Sequence, residues 1–375
     1  MARDPHLETG DFWNPDHPVL KILRQRRDSG STPGNRRDGA KVALTVAGGG
    51  MRGAVSAAMC TQLDDSGFRD AFDVVYGCSS GAINAAYFVS QPAGTCWYPL
   101  SIYYEDLTTD QFIRYTRPMS GGSLIDLEYV FEEVLASRKP LDYDAAVRSP
   151  LGLVVLTTDL AARQVFAARD FSTGTELKAF LRAGARPPLV TKGESEIDGR
   201  RLVDGALLAP PQFRLAMADG CTHILSLGTR RIRASRPHIP LAVRAYAHCL
   251  ERVRGGLGSA YLTALRHRQR DREVLSRQRF ATDGPGPHVL GLASLPWMTT
   301  IRFHDTDPSR ILHAIRDAYS VSYCATEGIG VDRLRGGLVS TLTRFAIAGP
   351  GGPARPARSA EPEPTTGTGM AVAPP

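Results

Sequence analysis

The sequence predicts an α/β fold built on a mainly parallel sheet covered by helices. Two observations carry this expectation: short apolar, β-branched runs of strand length alternate with helical patterns, and glycine turns join strand to helix. The 375 residues, 42% of them hydrophobic, suffice for one large domain or two small ones with a core that needs no staples.

Residues 1–40 are polar, rich in Pro and Gly, and contain the run RQRR at 24–27; they read as a loosely packed arm. Residues 41–47 (KVALTVA) have the pattern of a buried strand, broken by GGGMRG at 48–53. A helix is expected over 54–63, a strand over 72–76 (FDVVY), the turn GCSSG at 77–81, and a helix over 82–89. The spacing of Leu124, Leu127, Val130, Phe131 and Val134 predicts a helix over 123–136. Further strands are expected at 151–157 and 164–168, in the run RLVDGALLAP from residue 201, and at 223–227, with Asp198-Gly199 marking a tight turn. Residues 239–279 are helical in pattern and rich in arginine, and helices are expected over 308–326 and 331–346. The tail 349–375 is Gly, Pro, Ala and Thr, a composition that resists packing. There is no internal repeat.

The six cysteines, Cys60, Cys78, Cys96, Cys221, Cys249 and Cys324, are scattered and without paired spacing. They read as reduced thiols, and the expected compartment is cytoplasmic. The opening residues lack the basic start and apolar middle of a secretory leader, and no run is apolar over the length of a bilayer. The net charge of +7 admits anionic partners, yet lysine supplies only five of the 45 basic residues. An arginine bias of that kind also follows from base composition.

Gly77-Cys78-Ser79-Ser80-Gly81 fits G-x-S-x-G, a short motif with about one chance in four of arising at random in this composition. Its setting between a strand and a helix gives it meaning. A serine on a sharp strand-to-helix turn is lifted out of the sheet at the positive end of the following helix, and side chains on either flank would collide. Gly48, Gly49, Gly50, Met51, Arg52 and Gly53 form a rarer string. Backbone N–H groups aimed at a developing oxyanion need close approach without Cβ, and each such donor contributes about 3 kcal/mol to an acyl-transfer barrier. In a parallel sheet this loop and the GCSSG turn fall on the same edge.

Two alternatives stand beside this reading. GGGMRG also fits G-x-G-x-x-G, so a nucleotide-binding module is possible in principle; Asp70 and Asp73 have the right distance for a ribose contact but precede the second strand. A catalytically idle membrane-associated scaffold on the same fold is the other. For the base, His288, His304 and His313 follow in the order of an α/β-hydrolase, but none stands in a distinctive loop. Asp204-Gly205 ends an apolar strand and divides evenly between turn and base.

Together GGGMRG, GCSSG and Asp204-Gly205-Ala206 resemble, in order and spacing, the motifs of the patatin-like phospholipases, over roughly residues 40–230. The resemblance implies a three-layer α/β/α sandwich, Ser79 as nucleophile, Asp204 as proton acceptor without a histidine, and an oxyanion loop over residues 48–53. It implies hydrolysis of lipid acyl esters with no metal or organic cofactor. The domain reading is a polar arm at 1–40, a hydrolase domain at 41–348 with its motif core at 41–230 and a helical arginine-rich part at 231–348, and a disordered tail at 349–375. Residues 230–279 carry thirteen arginines against Glu251, Asp271 and Glu273. This suggests peripheral contact with anionic membranes through basic amphipathic helices, with core-packed helices of an arginine-biased protein as the equal alternative. Nucleic acid is not expected as a partner.

Overall fold

The computed structural model describes residues 12–90, 97–232 and 239–330. Strand β1 (Val42–Val46) is buried throughout because it lies between two parallel neighbours, β2 (Val74–Cys78) and β7 (His223–Leu227). Beyond them stand β3 (Gly152–Asp159), parallel to β2, and β8 (His288–Leu292), parallel to β7. Three antiparallel strands complete the eight: β4 (Gln164–Ala168) on β3, β6 (Arg200–Asp204) also on β3, and β5 (Ser195–Ile197) on β6. The sheet is therefore mainly parallel with an antiparallel margin.

Helices cover both faces, giving the three-layer sandwich. Alternate β1 side chains divide between them. Val42, Leu44 and Val46 join the larger core, with α2 (Gly53–Asp65), α3 (Ser80–Val89), α4 (Gly174–Gly184) and α8 (Pro308–Glu327). Ala43, with Tyr76, Val154 and Leu156, packs on Phe213 and Ala216 of α5 (Gln212–Ala218) on the other face. The arginine-rich segment forms α6 (Leu241–Val253) and α7 (Leu257–Gln278), split at Gly255-Gly256.

Two expectations need correction, and one strand was not expected. The stretch 12–40 is not loose. Pro18–Asp28 forms helix α1, with Pro18 at its first position and His17 Nδ1 accepting from the Val19 N–H. Its Arg26 is fully buried, donating to Asp38 and Asp73 and to the Ala40 and Ala71 carbonyls. The chain tolerates a buried guanidinium because every donor finds an acceptor.

The helix expected over 123–136 begins later. Ile125 is held in an antiparallel bridge to Ile113, and the Leu124 N–H donates to Val190 O, so tertiary pairing overrides helical spacing there. The helix then continues as a π-helix, Tyr129–Arg138. Strand β8 was not anticipated, because Gly291 interrupts its apolar run and Gly284 to Pro287 lead into it. The helix expected at 331–346 and the tail lie outside the described residues.

Candidate active site

Strand register builds the site. β1 and β2 are parallel neighbours, so the loop after Val46 and the turn after Cys78 emerge at one edge. β3 carries the third component: Cys78 pairs with Leu156, and Asp204 pairs with the next residue, Thr157. The end of β6 thereby reaches the end of β2. β6 runs antiparallel to β3, so Asp204 arrives through a hairpin strand rather than another parallel crossover.

Ser79 occupies the elbow with φ 57° and ψ −136°, a conformation rare for a side-chain-bearing residue. The flanking glycines are required by contact: a Cβ on Gly81 would lie 2.3 Å from Val46 O, and one on Gly77 would lie 2.4 Å from Ala82 Cα. Ser79 Oγ donates to Asp204 Oδ2 at 2.8 Å, both residues being buried. The other carboxylate oxygen, Oδ1, accepts from the Ala206 N–H at 2.8 Å, and Thr158 Oγ1 donates to the Asp204 carbonyl. Burial pushes the Asp204 carboxyl up from 3.8 to about 6, against the opposing pull of the Ala206 N–H, the Ser79 hydroxyl and the Arg268 charge. A carboxylate tuned close to neutrality is suited to take a proton and return it.

The glycine-rich residues divide by role. Gly50 faces the cavity beside Ser79. Among the described residues its N–H has no protein acceptor, whereas Gly49 N–H is held by Ser80 Oγ at 3.1 Å and Met51 N–H by Phe303 O at 3.0 Å. Ser80 Oγ also donates to Gly50 O at 3.1 Å, so the second serine of the elbow fixes the loop. Met51 is core, and Gly53 lies against Tyr103 and Ser80. Gly48 packs on the Cys78 carbonyl. Burial raises the Cys78 thiol pKa, which keeps it a neutral packing group. Ser56 Oγ donates to the Ala47 and Gly53 carbonyls, and Asn84 Nδ2 to the Gly53 carbonyl.

An almost wholly apolar cavity leads from the Ser79–Asp204 pair between the helices. Ile83, Ile102, Leu107, Phe112, Val130 and Phe303 are among its walls. It is slender, with about 60 Å³ open to the centre of a water molecule. Two π-helical segments, Ile102–Asp106 and Tyr129–Arg138, supply part of the wall. They are tied together by Lys139 Nζ, which donates to Glu105 and Asp106 at 2.6 Å.

Arginines also gather near the Ser79–Asp204 pair. Arg268 donates to the Ala206 and Leu207 carbonyls at 2.6 and 3.2 Å, clamping the turn after Asp204. Arg52 folds back so that a Cβ on Gly49 would lie 2.9 Å from its Nη2. Burial, reinforced by the charges of Arg230 and Arg272, lowers its pKa to about 10. None of these four arginines forms an ion pair among the described residues, and the Nε atoms of Arg52 and Arg268 are buried without acceptors.

Sequence reasoning reached Ser79, Asp204 and the glycine loop. It missed Phe303, Asn84 and Tyr103, which carry no local signal, and it gave Arg268 only a membrane role. The rejected candidates are explained by position. His288 pairs in register with His223 at the start of β8, the opposite end of the strands from Ser79. His304 and His313 are exposed. Asp73 is occupied by Arg26, Arg36 and the Val42 N–H at the far end of β2, so it has no access to a ribose on GGGMRG. Among the described residues no group of three His, Cys, Asp or Glu is spaced to hold a metal ion.

Comparison with known proteins gives a family for the segment that holds these features: residues 44–217 match the patatin-like phospholipases. Among solved structures the chain is similar to VipD from Legionella pneumophila, at 11% identity and TM-score 0.37, over 77% of this chain and 67% of that one. It is also similar to human GIVD cytosolic phospholipase A2 in complex with methyl gamma-linolenyl fluorophosphonate, at 12% identity and TM-score 0.39. That match covers 86% of this chain and 62% of the human one, so the chain spans less than two thirds of that relative. No curated protein sequence matches the chain.

Proposed function

We propose that this chain, whose residues 44–217 are a patatin-like phospholipase segment, is a serine hydrolase of lipid acyl esters. The observation that carries the reading is the 2.8 Å hydrogen bond from Ser79 Oγ to a buried Asp204 at the mouth of an apolar cavity. Asp204 takes the Ser79 proton as Oγ bonds to the ester carbonyl carbon. The resulting oxyanion accepts from the free Gly50 N–H and from the N-terminus of α3. Collapse breaks the bond to the alcohol, which leaves with the proton held by Asp204. Water, deprotonated by the same carboxylate, then cleaves the acyl-serine and releases the fatty acid.

The apolar walls suit a single acyl chain. Unpaired arginines beside the dyad favour an anionic headgroup, hence phospholipid over neutral glyceride. Peripheral contact with an anionic membrane belongs to the same reading; among the described residues no helix is long and apolar enough to cross one. Arg268 has to be set apart from any membrane role, since it holds the Ala206-Leu207 turn. The unbridged thiols of Cys60, Cys78, Cys221, Cys249 and Cys324 support a reducing compartment, and we place the protein in the cytoplasm.

A fluorophosphonate probe tests the chemistry whatever the lipid. Labelling of the full chain is expected and should vanish in Ser79→Ala while persisting in Ser80→Ala. Undiminished labelling or ester hydrolysis in Ser79→Ala would remove the serine-hydrolase reading.

A further inference from the structure

Among the described residues few large apolar side chains stay exposed, and the four most exposed are grouped. Among the described residues the most exposed are Met119 (88%), Leu241 (79%), Tyr115 (61%) and Leu189 (54%). Each is linked to the wall of the apolar cavity. Tyr115 and Met119 sit on the loop bracketed by the Ile113–Ile125 bridge, whose neighbours Phe112 and Ile125 line the cavity. The Tyr115 ring meets the His304 ring edge-on at 6.0 Å, one residue from the lining Phe303. Leu189 lies between the lining Pro187 and Val190, whose carbonyl accepts from the Leu124 N–H. Leu241 begins α6, which is pinned to the same loop by Tyr246 Oη donating to Pro188 O at 3.0 Å.

Two further features separate this rim from chance exposure. Leu189 is held at φ 68°, a left-handed conformation that is costly for leucine and that projects its side chain outward. The charge of the rim also leans to one sign. Segments 113–124, 186–193, 239–250 and 299–304 together hold Arg114, Arg117, Arg186, Lys192, Arg244 and Arg302, and no aspartate or glutamate. Asp126 lies 3.8 Å from Arg117, and Glu194, Glu251 and Asp305 border these segments, so the collar is mainly cationic. Apolar tips rising from such a collar match a bilayer surface, where the tips enter the acyl boundary and the collar meets anionic headgroups.

We propose that the loops carrying Tyr115, Met119 and Leu189, with the start of α6, form the face that docks this protein on anionic lipid bilayers and opens the cavity onto the acyl layer. This rests on the lipid-hydrolase reading only for its purpose; the docking is measurable without catalysis. It also shifts the membrane contact from the arginine-rich helices as a whole to the rim of the cavity.

The test uses the full chain with Ser79→Ala, so that no lipid is consumed. It measures co-sedimentation with phosphatidylcholine vesicles containing about one third phosphatidylglycerol. Tyr115→Ser, Met119→Ser and Leu189→Asn together should weaken binding at least about tenfold, asparagine being chosen because it accepts the left-handed conformation. Met119→Ser alone, at the most exposed of the positions, should weaken it about threefold and serves if the triple variant is unstable. The triple variant with Ser79 intact should hydrolyse a monomeric short-chain ester at the parental rate. Vesicle binding unchanged in the triple variant and in Met119→Ser overturns the proposal, as does a loss of soluble-ester hydrolysis equal to the loss of binding. A chain that docks as described but labels with no fluorophosphonate probe keeps the docking face and loses the hydrolase reading.

Discussion

Two of the five Asp-Gly pairs in the sequence stand six residues apart, and the same dipeptide does opposite work in them. Asp198-Gly199 is exposed, joins β5 to β6, and has positive φ at both residues, 50° and 69°. Those angles are what a two-residue hairpin turn requires, and a Cβ on Gly199 would meet nothing within 4 Å. At the other end of β6, Asp204-Gly205 is buried, and neither residue has positive φ. There a Cβ on Gly205 would lie 2.2 Å from Leu156 O. The first glycine is needed for its torsion angle and the second for the space it leaves. The first aspartate belongs to the turn; the second is held against Ser79.

Substituting asparagine at both aspartates exploits the contrast. Asp204→Asn keeps the shape and removes the proposed base, so turnover of a soluble ester should fall by about 10² to 10⁴. Asp198→Asn should leave rate and stability within about 0.5 kcal/mol, since asparagine suits the same turn. In the parent, kcat/KM should rise about tenfold per pH unit below pH 6 and level off above it, because Asp204 is pushed up to about 6 by burial. A profile governed by a histidine that survives Asp204→Asn would break the comparison.

Stability should move the other way at the same residue. The buried site favours the neutral carboxyl, raising its pKa from 3.8 to about 6. That stabilising contribution is full below pH 3.8 and is lost as pH rises through about 6. At pH 8 the ionised carboxylate therefore costs on the order of 3 kcal/mol relative to a neutral isostere. Asp204→Asn should accordingly gain up to about that much in urea unfolding at pH 8 and little at pH 4, less any loss from the Ser79 hydrogen bond. An equal shift at both pH values would mean that ionisation is not the cause.

The two glycines should separate by a smaller margin. Gly205→Ala pushes a methyl into the β3 backbone and should cost about 3 kcal/mol, the upper end of overpacking, with activity falling as the Asp204 carboxylate is displaced. Gly199→Ala is strained only in its torsion angle and should cost about 1 kcal/mol with activity unchanged. Equal costs would show that the Leu156 contact relaxes.

Much of this site was legible because short-range rules write it. GCSSG and GGGMRG are local necessities: an elbow and an open backbone need glycine at fixed offsets, and no distant residue can supply that. Strands β4 and β7 were bounded correctly from periodicity alone. Residues 123–126 were misread because their helical spacing is real but loses to pairing with Ile113 and Val190, partners far along the chain. In the sequence Arg26 reads as part of a polar arm, because a buried guanidinium is intelligible only with Asp38, Asp73 and two carbonyls in view.

The alternation of strand and helix, the strained position of Ser79 and the openness of the loop at Gly50 are written locally, since each follows from backbone torsion and side-chain size within a few residues. The residues around Asp204 leave turn and base evenly divided, and it is the tertiary pairing of strands that brings this Asp-Gly pair, rather than Asp198-Gly199, to the serine. Both pairs flank the same strand, and the choice depends on β6 pairing with β3 so that Asp204 falls one position past the partner of Cys78. Tertiary structure likewise decided that Arg268 clamps a turn and that exposed Tyr115, Met119 and Leu189 share one rim. Register and packing join residues separated by tens to hundreds of positions, and no local pattern encodes such a meeting.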